Sequence, residues 1–197
     1  DVFCPMYASQ KYCEWYGQSQ DPADQKPMVL CEYNHAMGNS SGGLKEYWDV
    51  FRRYPKLQGG FIWDFVDQAL RSHDDQGREI YAYGGDYNRW DASDNNFNCN
   101  GLISPDRRPN PQMREVRYQY QPVWCSLSDT AHAVLSVYNE YFFRTLDNYR
   151  LRWEVVCDGL PTAQQGTVEQ LDVPPQASRH ITLPVRCPSM SPMFGRN

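Results

Sequence analysis

The stretch from residue 28 to residue 65 constrains the fold of this chain most. An apolar run, a polar loop, an amphipathic helical pattern and a second apolar run follow one another there. Residues 28–33 (M-V-L-C-E-Y) are nearly continuous in apolar character, as strands of parallel sheets are, because such strands are covered on both faces. In residues 42–54, Leu44, Tyr47, Trp48 and Phe51 recur at three- and four-residue spacing, and Pro55 stops the helix. Residues 59–65 (G-G-F-I-W-D-F) read as the next strand, and residues 2–7 as an earlier one. Strand, loop, helix, strand is the unit of an α/β barrel, whose C-terminal strand ends hold the active site. The residues at those ends are Tyr7, then Glu32 to His35, then Trp63 and Asp64.

Residues 70–111 read as a long loop rich in Gly, Asn and Asp, of a length that is usually functional or disordered. Residues 109–120 are helix-like. The pattern then changes. Residues 132–141, 149–157, 167–173 and 179–185 alternate apolar and polar side chains, and Asp158-Gly159 is a hairpin-turn signal. Short strands of this kind read as a β-sandwich. The boundary falls near Pro122, giving a barrel part over 1–121 and a sandwich over 122–197. The final residues, C-P-S-M-S-P-M-F-G-R-N, do not continue a strand pattern, so the sandwich is expected to be truncated. The chain opens directly on a strand pattern, as if cut from something longer.

Composition narrows the function. The net charge of −5 comes from well-mixed acids and bases, with no basic run suited to nucleic acid. No apolar stretch approaches the roughly 20 residues of a membrane span. The seven cysteines form no C-x-x-C pair, and their odd, scattered count argues against a disulfide framework. Cys4, Cys31 and Cys157 lie in apolar runs, where a thiol behaves as a small hydrophobe. The chain has 14 Tyr, 8 Phe and 6 Trp, which serve either as core or as platforms that stack on pyranose rings. The sequence gives no compartment.

Glu32 ends an apolar strand, where a carboxylate is costly unless solvated or partnered. It is either a salt-bridged acid at an open strand end or a catalytic group. His35, with Asn34, Asn39 and Ser40, supplies donors and acceptors suited to sugar hydroxyls.

The segment C-E-Y-N-H-A-M-G-N-S (31–40) resembles the signature of glycoside hydrolase family 2 β-galactosidases. L-Q-G-G-F-I-W-D-F-V-D-Q (57–68) resembles that family's eighth barrel strand, and C-P-M-Y-A (4–8) its sixth. F-N-C-N-G-L (97–102) resembles a sodium-binding loop, and the likeness runs on through R-P-N-P into the sandwich. The resemblance implies the end of a (β/α)8 TIM barrel followed by an immunoglobulin-like β-sandwich. It makes Glu32 the nucleophile of a retaining hydrolase of terminal β-D-galactosides such as lactose, with Tyr7 in contact with it. His35 and Asn100 would bind substrate, and Trp63 would form the sugar platform. Phe61 and Phe65 share Trp63's strand parity and should face the barrel interior with it, while Ile62 and Asp64 face the other way. The backbone oxygen of Phe97 and the amide oxygen of Asn100 would be part of a sodium site. The aspartate completing that site, the magnesium ligands and the acid/base glutamate all lie upstream in the family. The partners implied are a β-galactoside and the remainder of the barrel, and the complete enzyme is expected to be a homo-oligomer.

One Asn-Glu pair occurs, Asn139-Glu140, but it lies in an alternating strand of the sandwich and is not expected to be the acid/base. The isolated chain is therefore not expected to hydrolyse galactosides or to bind sodium tightly. Two alternatives stand beside this reading. One is a family 2 hydrolase of other specificity, such as a glucuronidase or mannosidase; such relatives usually lack H-A-M-G-N-S after the glutamate. The other is a non-catalytic carbohydrate-binding β-sandwich module presenting Trp124, Tyr138 and Trp153.

Overall fold

The computed structural model describes residues 1–186. Cys187 and the tail beyond it lie outside the described residues. The chain divides into two compact units, Asp1–Tyr120 and Gln121–Asn197.

In the first unit, β1 (Met28–Tyr33) runs parallel to β2 (Leu57–Ile62), pairing Met28 with Leu57, Leu30 with Gly60 and Tyr33 with Ile62. A Cβ at Gly60 would lie 2.7 Å from the Leu30 Cβ, so glycine is what lets the strands pair there. α2 (Leu44–Arg53) makes the crossover, burying Leu44, Tyr47, Val50 and Phe51 along one stripe. α1 (Gln10–Gln18) adds Cys13 and Tyr16 to the same core, and α3 (Met113–Gln119) adds Val116. The helices thus cover the face of the strands that carries Met28, Leu30 and Leu57. Ile62 packs on that core too, whereas Cys31 and Phe61 on the strands, and Phe65 just beyond them, are exposed.

Several expectations need correction. Residues 2–7 form no strand; they touch β1 at two parallel bridges, Phe3 with Met28 and Met6 with Glu32. Pro5 has no N–H for a ladder, and Tyr7 turns out of the strand with φ of 50°. β2 stops at Ile62 rather than residue 65. Beyond it Asp64 pairs instead with the loop, its N–H donating to the Asn100 carbonyl (2.8 Å) and its carbonyl accepting from the Leu102 N–H (3.0 Å). The expected loop 70–111 contains a hairpin, β3 (Leu70–His73) with β4 (Glu79–Ala82). Its turn is organised by the Asp74 carboxylate, which accepts from the backbone N–H groups of Gln76 and Arg78, both at 2.9 Å. α1 was not expected, although Ser9, which caps it by accepting from the Tyr12 N–H, is the usual helix-start residue. Cys4, Cys31 and Cys157 are exposed, and among the described residues the buried thiol is Cys13.

The second unit is antiparallel. β5 (Val123–Asp129), β6 (Val134–Asn139) and β9 (Ser178–Thr182) form one sheet in the order β5-β6-β9. β7 (Leu151–Cys157) and β8 (Leu160–Val168) form a hairpin around Asp158 and Gly159, both at positive φ. That backbone is what a two-residue hairpin needs. Val123, Leu151, Val168 and Ile181, from both sheets, pack on one cluster of Val137, Leu146, Leu171 and Val173. The strand read at 167–173 is instead β8, and β5 was not foreseen.

Candidate active site

The candidate site lies where β1 and β2 end. Glu32 is half-buried on β1. The Tyr7 N–H donates to the Glu32 carbonyl at 2.8 Å, which holds the two residues side by side. The phenol is pushed up to about 12, first by partial burial and then by the neighbouring Glu32 carboxylate. A phenol that stays protonated is available as a donor to the carboxylate. Past β1 the chain turns at Asn34, with φ of 50°, into the loop that carries His35. The His35 ring stacks on Phe97 at 5.5 Å between centroids and meets Tyr7 edge-on at 6.1 Å. Trp63 follows β2; its N–H donates to the Tyr33 carbonyl (3.3 Å), and its carbonyl accepts from Ala36 (2.8 Å). The structure therefore gathers Tyr7, Glu32, His35, Trp63, Phe97 and Asn100 in neighbouring segments of one unit.

Hydrogen-bond accounting singles out this region. Six buried side-chain polar atoms lack a partner among the described residues: Asn34 Nδ2, His35 Nε2, Trp63 Nε1, Asp64 Oδ1, Asn100 Oδ1 and Gln112 Oε1. All but the last sit at the strand ends or the loop beside them. An unsatisfied buried polar group costs about 1–3 kcal/mol. Five together approach the roughly 5–15 kcal/mol that holds a whole domain folded. Such a concentration is expected where a polar, hydroxyl-rich ligand, water or an ion completes the pairing.

Asn100 is only 1% exposed. Its amide nitrogen, not its oxygen, faces the Phe97 carbonyl. The two expected sodium ligands thus do not present both oxygens to one point as they stand. Turning the amide over would do so, and the two oxygens would then repel unless a cation lay between them. Both are hard donors of the kind such an ion takes. Among the described residues no group of three or more His, Cys, Asp or Glu could hold a metal ion.

Asn139 and Glu140 are built into the second unit. The Asn139 amide donates to the Arg144, Val173 and Pro174 carbonyls at 2.8–3.1 Å. A Glu140 carboxylate oxygen accepts from the Trp124 indole at 2.7 Å. Two residues with no role assigned from the sequence join the site. The Asp64 carboxylate accepts from the Gln68 amide at 2.7 Å through one oxygen and leaves the other unpartnered. Gln112, at the start of α3, reaches back to the His35 loop. Asp64 stands in the W-D pair at the strand end and was legible as a polar strand-end residue; Gln112 gives no sequence signal.

Comparison with known proteins agrees in kind. Residues 1–125 match the family described as glycosyl hydrolases family 2, TIM barrel domain, and residues 135–192 match beta-galactosidase, domain 4. The chain is 41% identical to a beta-galactosidase of Aeromonas hydrophila subsp. hydrophila, over 98% of this chain and 19% of that protein. It is 39% identical to one of Yersinia pestis bv. Antiqua (strain Angola), over 97% and 19%. The chain thus spans about a fifth of the length of the curated relatives it matches. Among solved structures, a beta-glucuronidase of Faecalibacterium prausnitzii aligns over 60% of this chain and 21% of its own, with a TM-score of 0.32 and 19% identity.

Proposed function

This chain belongs to glycosyl hydrolase family 2, and from that premise we propose that it supplies the nucleophile side of a retaining β-galactosidase. In this reading the first unit is the end of a (β/α)8 barrel and the second an immunoglobulin-like β-sandwich. The observation that carries the mechanism is the place of Glu32 near the end of a parallel strand, with Tyr7 bound to it through the backbone and meeting the His35 ring.

Glu32 attacks the anomeric carbon of a terminal galactose and the glycosidic oxygen leaves, giving a covalent glycosyl-enzyme that water then hydrolyses. Tyr7 donates to the carboxylate and fixes which oxygen faces the sugar. Trp63 lies along the apolar face of the ring, His35 and Asn100 take hydroxyl groups, and the unpartnered polar atoms around them find their partners there. A second carboxyl group, about 5–5.5 Å from Glu32 in retaining enzymes, protonates the departing oxygen. It comes from residues outside this chain, as do the ligands of any magnesium ion. The Phe97 carbonyl and Asn100 amide oxygen would hold part of a sodium site, where the ion would supply a fixed positive charge for sugar oxygens. Lactose and related β-galactosides are the substrate class, and a homo-oligomer is the expected state of the whole enzyme. Reading the chain as a carbohydrate-binding module alone leaves the match of residues 1–125 to a catalytic barrel family without a role.

The test is covalent trapping. A 2-fluorogalactoside should label the full-length gene product at Glu32, as read by peptide mass spectrometry, and Glu32→Gln should abolish labelling. Label on another carboxylate would overturn the assignment. Nitrophenyl-galactoside turnover by residues 1–197 alone, at the rate of intact relatives, would overturn the claim that the acid/base lies elsewhere.

A further inference from the structure

We infer that Gln112 is a positioning residue that sets His35, and this inference rests on the galactosidase reading of the site. The Gln112 amide nitrogen donates to the Ala36 carbonyl at 3.2 Å and to the Gly38 carbonyl at 2.6 Å. Those carbonyls lie one and three residues beyond His35. Ala36 is buried in the core, but residues 38–40 beyond it are exposed. A cavity of about 310 Å³ lined by Ala36, Met37 and Asp67 and another of about 480 Å³ lined by Asn39, Ser40 and Ser41 both border the loop, and both reach Gln112. Beyond Ala36, where the loop is bordered by open grooves, polar bonds decide where it sits.

The bonds within the loop are local. Ser40 Oγ lies 2.6 Å from both the His35 and Met37 carbonyls and shares its one proton between them. They fix the shape of the loop but tie it to nothing outside. The Gln112 amide ties it to the start of α3, whose Val116 is in the core. The Ala36 N–H bond to the Trp63 carbonyl holds the other side. The two bonds at Ala36, with its burial in the core, place its neighbour His35 between Phe97 and Tyr7. No bond joins Gln112 to the His35 ring, so its effect is transmitted through the loop backbone. Its Oε1 is buried without a partner, so the amide is oriented by what its nitrogen reaches.

The experiment compares Gln112→Met, which keeps shape and removes both donors, and Gln112→Glu, which keeps shape and puts an acceptor against two carbonyls. Both are measured in the full-length gene product against nitrophenyl-galactoside. Each should raise KM about tenfold or more, the size expected from losing two hydrogen bonds at a positioned group. The change in kcat should be smaller, because the nucleophile is untouched. Each effect should vanish in the His35→Ala background, since a residue acting through His35 has nothing left to set. In Gln112→Glu the defect relative to wild type should shrink as the pH is lowered and the carboxyl group regains a proton to donate. Unchanged KM in whichever variant folds, or additivity with His35→Ala, would overturn the proposal. Fluorosugar labelling of Glu32 in wild type separates the two claims. If labelling holds and Gln112 is silent, only the positioning role fails; if Glu32 is not labelled, the galactosidase reading fails first.

Discussion

Two buried asparagines, one in each unit, make opposite use of the same side chain. Asn139 is fully buried, its amide nitrogen reaches three carbonyls and its oxygen accepts from the Tyr141 N–H at 3.0 Å. Asn100 is buried almost as deeply, yet its amide oxygen has no partner. A saturated amide specifies a fold: it ends β6 and closes the strand onto the connections around Arg144 and Val173. An unsaturated one at the same depth is a standing cost, tolerated where something else is bound. The second unit contains none of the unpartnered buried side-chain atoms found among the described residues, and the first contains them all. Burial alone would rank the two asparagines together; hydrogen-bond accounting separates them.

The contrast is sharpened most by Glu32→Gln. If the first unit is a catalytic site, the full-length gene product should lose about 10⁴–10⁶ in kcat, as enzymes do when a nucleophile is removed, with no loss of thermal stability. Next is Asn139→Ala, which strips three carbonyls and one N–H of their partner. A loss of about 2–4 kcal/mol is expected, visible as a lower denaturation midpoint, with KM and kcat of the folded protein unchanged. Asn100→Ala is the counterpart. It removes an unpaired acceptor along with one donor, so stability should move by no more than about 1 kcal/mol, while KM for galactosides rises. Equal destabilisation by the two alanine substitutions, measured by denaturant titration, would erase the distinction between them.

Sequence patterns made the two units legible to different depths. β1, α2 and β2 were readable because a parallel strand covered on both faces and a helix with a single apolar stripe leave separate periodicities. Residues 2–7 are as apolar as β1, but Pro5 and the turn at Tyr7 reduce them to two bridges. β8 was misplaced for a packing reason. Its inward positions are Thr162, Gln164, Gly166 and Val168, of which only Val168 is apolar. A Cβ at Gly166 would come within 2.8 Å of the Trp153 ring, so the indole of the facing strand covers the place an apolar partner would fill. Over residues 160–166 the alternation that marks a strand is therefore missing, and β7 carries it. At the site, Glu32 and His35 stand in a contiguous motif and were legible. Gln112 lies 74 residues from the Gly38 it binds, and nothing in its own surroundings marks it.

The smallest expected effect concerns Tyr7, and its sign can be worked out. Its phenol is raised from the usual value near 10 to about 12, through partial burial and then the neighbouring Glu32 carboxylate. A folded-state value above the unfolded one means that the protonated form is favoured by folding. The contribution to stability is then complete below the unfolded value and disappears as pH rises through the folded one. Nothing should change at Tyr7 between pH 7 and about 10. The loss should fall between there and about 12, where the phenolate would face the Glu32 carboxylate. Tyr7 is 42% exposed, so solvent screens the pair and the effect on stability stays small. Tyr7→Phe measures it by difference. The ultraviolet phenolate signal of wild type minus variant should titrate above that of an ordinary tyrosine. In a Glu32→Gln background it should move back toward 10 but not reach it, because burial, the leading cause, remains. A Tyr7 that titrates at its ordinary value in wild type would mean that its hydroxyl does not hold the carboxylate. The comparison between the units would then rest on the unpartnered polar atoms alone.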